Sequence, residues 1–450
     1  MKKFSADFLH KIFLEYQGSI NQQLDIETIY TDSREVVTNG LFVPLIGERF
    51  NGHDFLLQAI DKGAVASLWS KREEVPADLP DNFPLFFVED PLEGLQQLAT
   101  AYRDYINPTV IGVTGSNGKT TTKELIGSSL SEFYQVTKTE GNLNNLIGLP
   151  LSILRMPVQT EVLVLEMGMS GFSEIEQLSY IAKPDIAVIT NIGESHIEHL
   201  GSREGISKAK LEIVEGLSED GVLVVDGDEP LLEVDLPQRV VTCGFNSGLD
   251  YEVKDVVQSQ NKTTFKINDQ LFSIPLLGMH QAKNTAYALA ISDLLNIDAS
   301  KMAYSLANLS LPGMRFEQIE TESGAVIVND AYNASATSMR ASIDVIKRFS
   351  QTYKVLVLGD IFELGQFAES EHRKVGEIIN QEIDVVFTVG QDSQYIIKAL
   401  PNDFKGRAEH FEDRDMLMNE LEKYIKNDTV VLFKASRGMK FEQLIQHFIS

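Results

Sequence analysis

Short runs of valine, isoleucine and leucine recur along the whole chain, separated by longer stretches in which apolar residues return every three or four positions. The short runs read as strands buried on both faces and the longer stretches as amphipathic helices. Their alternation predicts an α/β fold on mostly parallel sheets. The first strands are expected at Leu41 to Leu45, Ala64 to Trp69 and Leu85 to Val88, with a helix over Leu92 to Tyr105. Asn107-Pro108 breaks the pattern, because proline disfavours helix in the residue before it. Strands then fall at Val110 to Val113, Glu161 to Glu166, Ile186 to Thr190 and Gly221 to Val225, with helices at Lys208 to Gly216 and Gln281 to Leu295. After Leu311-Pro312-Gly313 come strands at Val326 to Asn329, Lys354 to Leu358, Val385 to Val389 and Val430 to Phe433, alternating with helices over Ser338 to Phe349 and Glu369 to Ile379. These breaks predict three α/β domains: a smaller N-terminal one over residues 1–106, a central one over 107–313 and a C-terminal, Rossmann-like one over 314–450.

The length of 450 residues suits two or three such units. Charge narrows the partners. With 39 basic against 65 acidic side chains the net charge is -26, which repels nucleic-acid backbones and anionic lipid. Neither nucleic acid nor a membrane surface is an expected partner, and a small anionic ligand requires a site that is electropositive locally. Cys243 is the single cysteine, so an internal disulfide and a cysteine-cluster metal site are excluded and a reducing compartment fits. Asp7, His10 and Lys11 interrupt any secretory signal, and no run approaches the roughly 18 apolar residues of a spanning helix. A cytoplasmic protein without a membrane span is expected.

The chemistry begins at Val110-Ile-Gly-Val-Thr-Gly-Ser-Asn-Gly-Lys-Thr-Thr-Thr-Lys123, an apolar strand running into a glycine loop closed by Lys119 and Thr120. Such a loop points backbone N–H groups at phosphate oxygens, its lysine reaches the terminal phosphates and its hydroxyl can sit on Mg²⁺. The strict spacing asks for glycine at position 113, where this chain has Val113, with Gly112 and Gly115 to either side. The central domain is therefore expected to be a variant phosphate-loop domain binding a nucleoside triphosphate. Loop and lysine alone leave ATPase, kinase, GTPase switch and ATP-driven ligase open.

Thr114-Gly-Ser-Asn-Gly-Lys-Thr-Thr121, followed by Glu140-Gly-Asn-Leu-Asn-Asn-Leu-Ile-Gly-Leu-Pro150, resembles the central domain of the Mur ligases, the amide-forming enzymes of peptidoglycan synthesis. The likeness continues through Leu165-Glu-Met-Gly168, Asn191-Ile-Gly-Glu-Ser-His196, Lys208-Ala-Lys-Leu-Glu-Ile213, Gly278-Met-His-Gln-Ala-Lys-Asn284 and Pro312-Gly-Met-Arg315. Asp32-Ser-Arg34, Leu41-Phe-Val-Pro-Leu45 and Asn51-Gly-His-Asp-Phe55 resemble the uridine-nucleotide-binding domain of the later ligases. Asn329-Asp-Ala-Tyr-Asn-Ala334 and Leu358-Gly-Asp-Ile-Phe-Glu-Leu-Gly365 resemble the branch that adds D-alanyl-D-alanine. The chain departs from the family at Ser335-Ala336, in place of Asn-Pro, and at Pro44, where a small residue is commoner.

The resemblance implies an ATP-dependent ligase. It would join UDP-N-acetylmuramoyl-tripeptide to D-alanyl-D-alanine through an acyl phosphate and release ADP and phosphate, as a monomer using two Mg²⁺ ions. It places Thr114, Gly115, Ser116, Asn117, Gly118, Lys119, Thr120 and Thr121 on ATP, together with Asn284, Arg315, Asp330, Tyr332 and Asn333. Lys119, His196, Lys210 and Arg315 are the implied catalytic residues. Thr120, Glu166, His196 and Lys210 are the implied metal ligands, Lys210 as a carbamate formed with CO₂. Ser33, Arg34, Asn142, Asn145, Lys434 and Arg437 are implied on the substrates.

As bare residues several of these have plainer readings. A carboxylate at the end of a buried strand, as at Glu166, is either on a cation or merely solvated. His196 and His199 have helical spacing for zinc but no evident third ligand. Lys208 and Lys210 read as a solvated helix face, and His280 and Asn284 as polar residues opening a helix. Arg315 fits a salt bridge as well as a phosphate. Asp360 and Glu363 fit a helix-capping pair as well as an amine site, and Lys434, Ser436 and Arg437 fit a basic turn as well as a carboxylate site. Among relatives, the ligase one step earlier would carry an Asp-x-Pro-Arg signature, which is absent. A folylpolyglutamate-synthase-like ligase lacks the separate N-terminal domain. A guanine-specific switch would carry Asn-Lys-x-Asp, also absent, whereas an ATP-hydrolysing switch stays open.

Overall fold

Every residue of Val162–Glu166, Ile186–Ile189 and Thr429–Lys434 is buried, which is why these strands carry apolar side chains on both faces. The computed structural model describes residues 4–20, 24–259, 261–309 and 316–449. Leu311-Pro312-Gly313, the expected 313/314 boundary and Arg315 lie outside the described residues. Among those described, three sheets of five, nine and six strands follow one another along the chain, beside a two-stranded pairing of Phe4–Ser5 with Asp25–Ile26. Expected and observed strands coincide closely. Leu85–Val88, Val326–Asn329 and Val385–Val389 have the anticipated bounds, and the rest shift by a residue or two, except that Gly40–Phe42 stops three residues short of Leu45.

In the central sheet Thr109–Thr114 lies between Val162–Glu166 and Ile186–Ile189, parallel to both. From Thr109–Thr114 the chain builds Val136–Lys138 and Val162–Glu166 on one side, then Ile186–Ile189 and Val222–Asp226 on the other. The carboxyl end of Thr109–Thr114 is thus where the strand order reverses, and ligands of open α/β sheets bind at such a point. The far edge, Arg239–Gly244 through the antiparallel Thr263–Ile267 and Gln270–Ile274, is not announced by apolar runs. Its residues alternate, with Glu252, Lys254 and Lys266 toward solvent, so no continuous run forms.

In the third sheet Val326–Asn329, Thr429–Lys434, Tyr353–Gly359, Val385–Val389 and Arg407–Phe411 are parallel, and Glu317–Glu320 pairs antiparallel at the edge. The carboxyl ends of its three middle strands present Asp330, Lys434 and Asp360. The expected helix at Lys208 to Gly216 instead spans Arg203–Leu211. Ser202 starts it early, its hydroxyl accepting the Gly205 N–H at 3.1 Å, and the chain tightens into a 3₁₀ turn at Glu212–Val214.

Helix Pro91–Ile106 joins the first two units. Asp90 caps it and Pro91 occupies its first turn, while Asn107, left-handed at φ 55, ends it before Pro108. Its buried face, Leu95, Leu98 and Tyr102, runs into one apolar cluster with Leu149 and Ile153 of the central unit. Tyr102 Oη donates to the Met156 carbonyl at 2.8 Å, and Gln96 Nε2 to the Leu146 carbonyl at 3.1 Å. This face makes the N-terminal and central units one packed body.

Leu98 is fully buried. Leu98→Ala is expected to cost about 2–5 kcal/mol, read as an earlier denaturant transition of the single tryptophan, Trp69, in the N-terminal sheet. Ile343→Ala, in the third unit, should leave that transition in place.

Candidate active site

Gly115 leaves the strand Thr109–Thr114 at φ +146, and Gly118 at φ +81 opens the helix Lys119–Leu130. Both conformations suit glycine alone. The first N–H groups of that helix have no intrahelical partner and carry its positive end, which together make an anion cradle. Val113, standing where the strict pattern has glycine, is a buried strand residue paired with Glu166 and Val188, so Gly115 makes the turn. The loop is stitched to the end of the neighbouring strand. The Asn117 carbonyl accepts from Thr190 Oγ1 at 2.6 Å and Asn191 Nδ2 at 2.8 Å, and the Asn117 N–H donates to Asn191 Oδ1 at 2.9 Å. The Gly193 N–H donates to Ser116 Oγ at 2.8 Å, and Tyr287 Oη holds the Thr190 carbonyl at 2.7 Å. At the strand end, the Thr114 hydroxyl donates to the Met167 carbonyl at 2.9 Å.

Glu166 stands beside this cradle, 3% exposed. Its Oε2 accepts from the Thr120 hydroxyl at 2.6 Å, and its Oε1 from Asn144 Nδ2 at 2.9 Å. Lys123, buried in the loop helix, lies 4.0 Å from Oε2 while donating to the Thr139 carbonyl at 2.7 Å and pairing with Glu124 at 3.0 Å. These partners offset the cost of enclosing a carboxylate away from water. Among the described residues no three His, Cys, Asp or Glu gather for a metal, and His199 does not complete a zinc set with His196. A cation at Glu166 would use that carboxylate, the Thr120 hydroxyl and oxygens of a bound ligand, the coordination Mg²⁺ prefers.

Two amines converge nearby. Lys119 Nζ donates to the Gly115 carbonyl at 2.6 Å. The side-chain amine of Lys210, on Arg203–Leu211 and 2% exposed, makes no hydrogen bond or ion pair among the described residues. Burial first, and then the Lys119 charge, pushes its amine well below the ordinary lysine range. His196, left-handed at φ 64, turns Nδ1 against the carboxylate of Glu363, itself left-handed at φ 61 and arriving from the third unit. This contact holds the Glu363 carboxyl below its ordinary range.

Asn284 lies over the loop. Its Nδ2 donates to Gln281 Oε1 at 2.9 Å, and its Oδ1 is 3.0 Å from where a Cβ on Gly118 would stand. Burial lowers the His280 imidazole to about 4, against the opposing pull of Asp330. Asp330 Oδ2 accepts from Lys434 Nζ and from Ser342 Oγ, each at 2.6 Å. Lys434 also donates to the Asn333 carbonyl at 3.3 Å, so its ammonium serves the Asp330–Asn333 segment. Arg437 is the freer cation of this pair, its guanidinium 5.7 Å from the Tyr332 ring centre and 3.7 Å from Glu442. Asp360 accepts three backbone N–H groups, from Gln391, Asp392 and Ser393 at 2.7, 3.0 and 2.8 Å, and so closes a loop rather than facing an amine.

In the N-terminal unit Ser33 Oγ donates to Gln58 Oε1 at 2.9 Å. Exposed Arg34 pairs with Asp32 at 2.6 Å, and its hydrogen bonds bring the Asp32 carboxyl down to about 2. Asn142 is exposed, and Asn145 caps the helix Gly148–Arg155 through the Ile147 and Gly148 N–H groups at 3.2 and 2.8 Å. Sequence reasoning missed Asn144, Lys123 and Thr190. Three asparagines within four positions do not say which one turns inward, and a lysine in a helix pattern looks like surface.

Residues 113–292 match the Mur ligase middle domain, residues 314–437 the Mur ligase, glutamate ligase domain, and residues 25–103 the Mur ligase family, catalytic domain. A UDP-N-acetylmuramoyl-tripeptide--D-alanyl-D-alanine ligase of Bacillus subtilis is 46% identical over 433 residues, 95% of this chain and 94% of its own. MurF from Acinetobacter baumannii has a TM-score of 0.89 at 28% identity, covering 99% of this chain and 98% of that one. The MurF ligase of Thermotoga maritima, solved in complex with ADP, has a TM-score of 0.83 at 33% identity, covering 95% and 98%.

A Cβ on Gly115 would lie 1.9 Å from Thr190 Oγ1, at a φ that side chains avoid. Gly115→Ala should therefore destabilise the protein by about 1–3 kcal/mol, seen as a lower thermal midpoint.

Proposed function

The chain belongs to the Mur ligase family, and from that premise we propose that it performs the ligation its relatives are named for, joining D-alanyl-D-alanine to UDP-N-acetylmuramoyl-tripeptide at the cost of ATP. The observation that carries this reading is likeness along the whole chain to relatives of that one name. The geometry supports it: an anion cradle, a carboxylate beside it and two converging amines in a chain of net charge -26. Residues 1–106 take the uridine nucleotide, residues 107–313 the triphosphate, and residues 314–450 the nucleotide's far side and the dipeptide. No helix of the described residues is long and apolar enough to cross a membrane. A cytoplasmic monomer is the working reading.

Joining an acid to an amine in water requires a better leaving group on the acid. The terminal carboxylate of the tripeptide attacks the γ-phosphorus in line, the bond to the β-phosphate oxygen breaks, and ADP departs from an acyl phosphate. The dipeptide amine then attacks the acyl carbon, inorganic phosphate leaves, and the amine loses its proton. The protein's share is positioning and charge neutralisation. Loop N–H groups from Gly115 to Thr121 and the Lys119 ammonium hold the phosphates, and Arg315 is assigned to the same charge. Asn284, Asp330, Tyr332 and Asn333 hold the rest of the nucleotide. Ser33, Arg34, Asn142 and Asn145 serve the uridylated acceptor, and Lys434 and Arg437 the dipeptide side.

Magnesium fits these residues. Thr120 and Glu166 already bring a hydroxyl and a carboxylate together, and His196 stands at the domain junction. The ion supplies charge neutralisation at the transferring phosphoryl group. Lys210 fits the role of a carbamate: only an uncharged amine attacks CO₂, and burial pushes this amine well below the ordinary lysine range, which favours that form. The nitrogen forms a bond to the carbon and loses a proton, turning a would-be cation into an anion able to serve a second ion.

The test follows product. With labelled dipeptide, ADP release should require both acceptor and dipeptide and match the amide formed; ADP release that needs neither would identify a nucleotide-hydrolysing switch instead. In CO₂-depleted buffer the rate should fall and bicarbonate should restore it. Lys210→Met should be at least a hundredfold slower, the order of one lost metal-site group, and indifferent to bicarbonate.

A further inference from the structure

Ser335 lies where the third unit meets the phosphate loop. It is 2% exposed, and its hydroxyl makes two bonds. It accepts the Ser338 N–H at 3.1 Å, while Ser338 Oγ accepts the Ser335 N–H at 2.9 Å, so the two close a reciprocal cap on the helix Ala336–Lys347. The hydroxyl proton goes across to the central unit, to Asn117 Oδ1 at 2.9 Å.

Both ends of this bond are fixed beforehand. Asn117 is tied by its backbone to Thr190 and Asn191, and Ser335 by its cap, so the bond forms with little further ordering. About two turns along the same helix, Ser342 donates to Asp330 at 2.6 Å. The helix is thus a short rigid link from the phosphate loop to the segment assigned to the nucleotide. Neighbouring contacts between the units are weaker candidates. The Thr337 hydroxyl reaches Glu194 at 2.9 Å in an exposed setting, where water competes. The Ser335 bond is part-buried, on a hydroxyl residue only 2% exposed, so water competes less and its loss leaves the Asn117 side chain unpaired. Asn117 Nδ2 is already buried without a partner, so this side chain has no alternative hold among the described residues.

We propose that Ser335 is a positioning residue that, through Asn117, registers the amine-donating unit on the phosphate loop. The inference rests on the ligase reading above. When register is lost, the acyl phosphate still forms but the amine arrives late, and water attacks the acyl carbon instead. The acyl–oxygen bond to phosphate breaks, a bond to water oxygen forms, a proton is released, and the acid is regenerated with ATP consumed.

The readout is the ratio of phosphate released to amide formed, with the full chain and all three substrates. Ser335→Gly keeps the helix start, since glycine there costs only a few tenths of a kcal/mol, but loses the bond to Asn117. Its ratio should rise about fivefold, the worth of one neutral hydrogen bond. Ser335→Thr, with its hydroxyl, should restore the parent ratio. Ser335→Ala, which also loses the cap, should share the raised ratio at a lower thermal midpoint. Ser338→Ala weakens the cap alone and should leave the ratio as in the parent. A parent-like ratio in Ser335→Gly, or an equal rise in Ser338→Ala, would overturn the proposal. A parent chain that forms no amide at all would overturn the ligase reading instead.

Discussion

The backbone of Asn117 is the point on which the site depends. Three hydrogen bonds with Thr190 and Asn191, two accepted by its carbonyl and one donated by its N–H, hold this residue of the phosphate loop against the end of the next strand. Thr190 also fills the space where a side chain at position 115 would go. A loop rich in glycine has the most conformational entropy to lose. Without this stitching its N–H groups would not stay convergent, and the cradle would have to be assembled at each binding event. Because Ile186–Ile189 is itself buried in the sheet, the rigidity of the core is passed to the loop through two polar residues.

Around that fixed point the charges oppose the character of the whole chain. An acidic surface coexists with a cleft in which Lys119 and Lys210 lie close enough for their charges to interact and the Glu166 carboxylate is already engaged by Thr120, Asn144 and Lys123. A buried amine beside a second positive charge is a costly arrangement. The arrangement becomes favourable when an anion enters between them or when one amine is converted to an anion. Glu363 and His196, both in a conformation non-glycine residues adopt reluctantly, meet at the edge of the same cleft. Strain there is held by the packing of two units rather than by one.

Much of this was legible in the order of residues. Apolar runs located the buried strands because a parallel strand covered on both faces has no polar side to disguise it. Asn107-Pro108 located the end of the joining helix because proline bars helical backbone in the residue before it. The phosphate loop was readable for the same reason, since glycine at 115 and 118 answers a demand of the backbone. What could not be read was pairing at a distance. Asn144, rather than Asn142 or Asn145, turns toward Glu166 because of how Gly148–Arg155 packs, and Lys123 is buried because Val136–Lys138 closes over it. Lys434, read as a basic turn or a carboxylate site, is drawn to Asp330 by a strand alignment that no local spacing reveals. Arg239–Gly244 onward escaped because an edge exposed to water needs no apolar run.

The shared core along Pro91–Ile106 has a consequence for which acceptors can react. With the uridine end held by residues 1–106, as proposed above, the body that holds it is continuous with the body that carries the cradle, and the span between them would act as a gauge of fixed length. A peptide stem one residue too short would leave its terminal carboxylate about 3.5 Å from the phosphorus it must meet, a shortfall that the packed face of Pro91–Ile106 opposes. Selection by reach in this way discriminates against the unfinished stem without any pocket dedicated to recognising it.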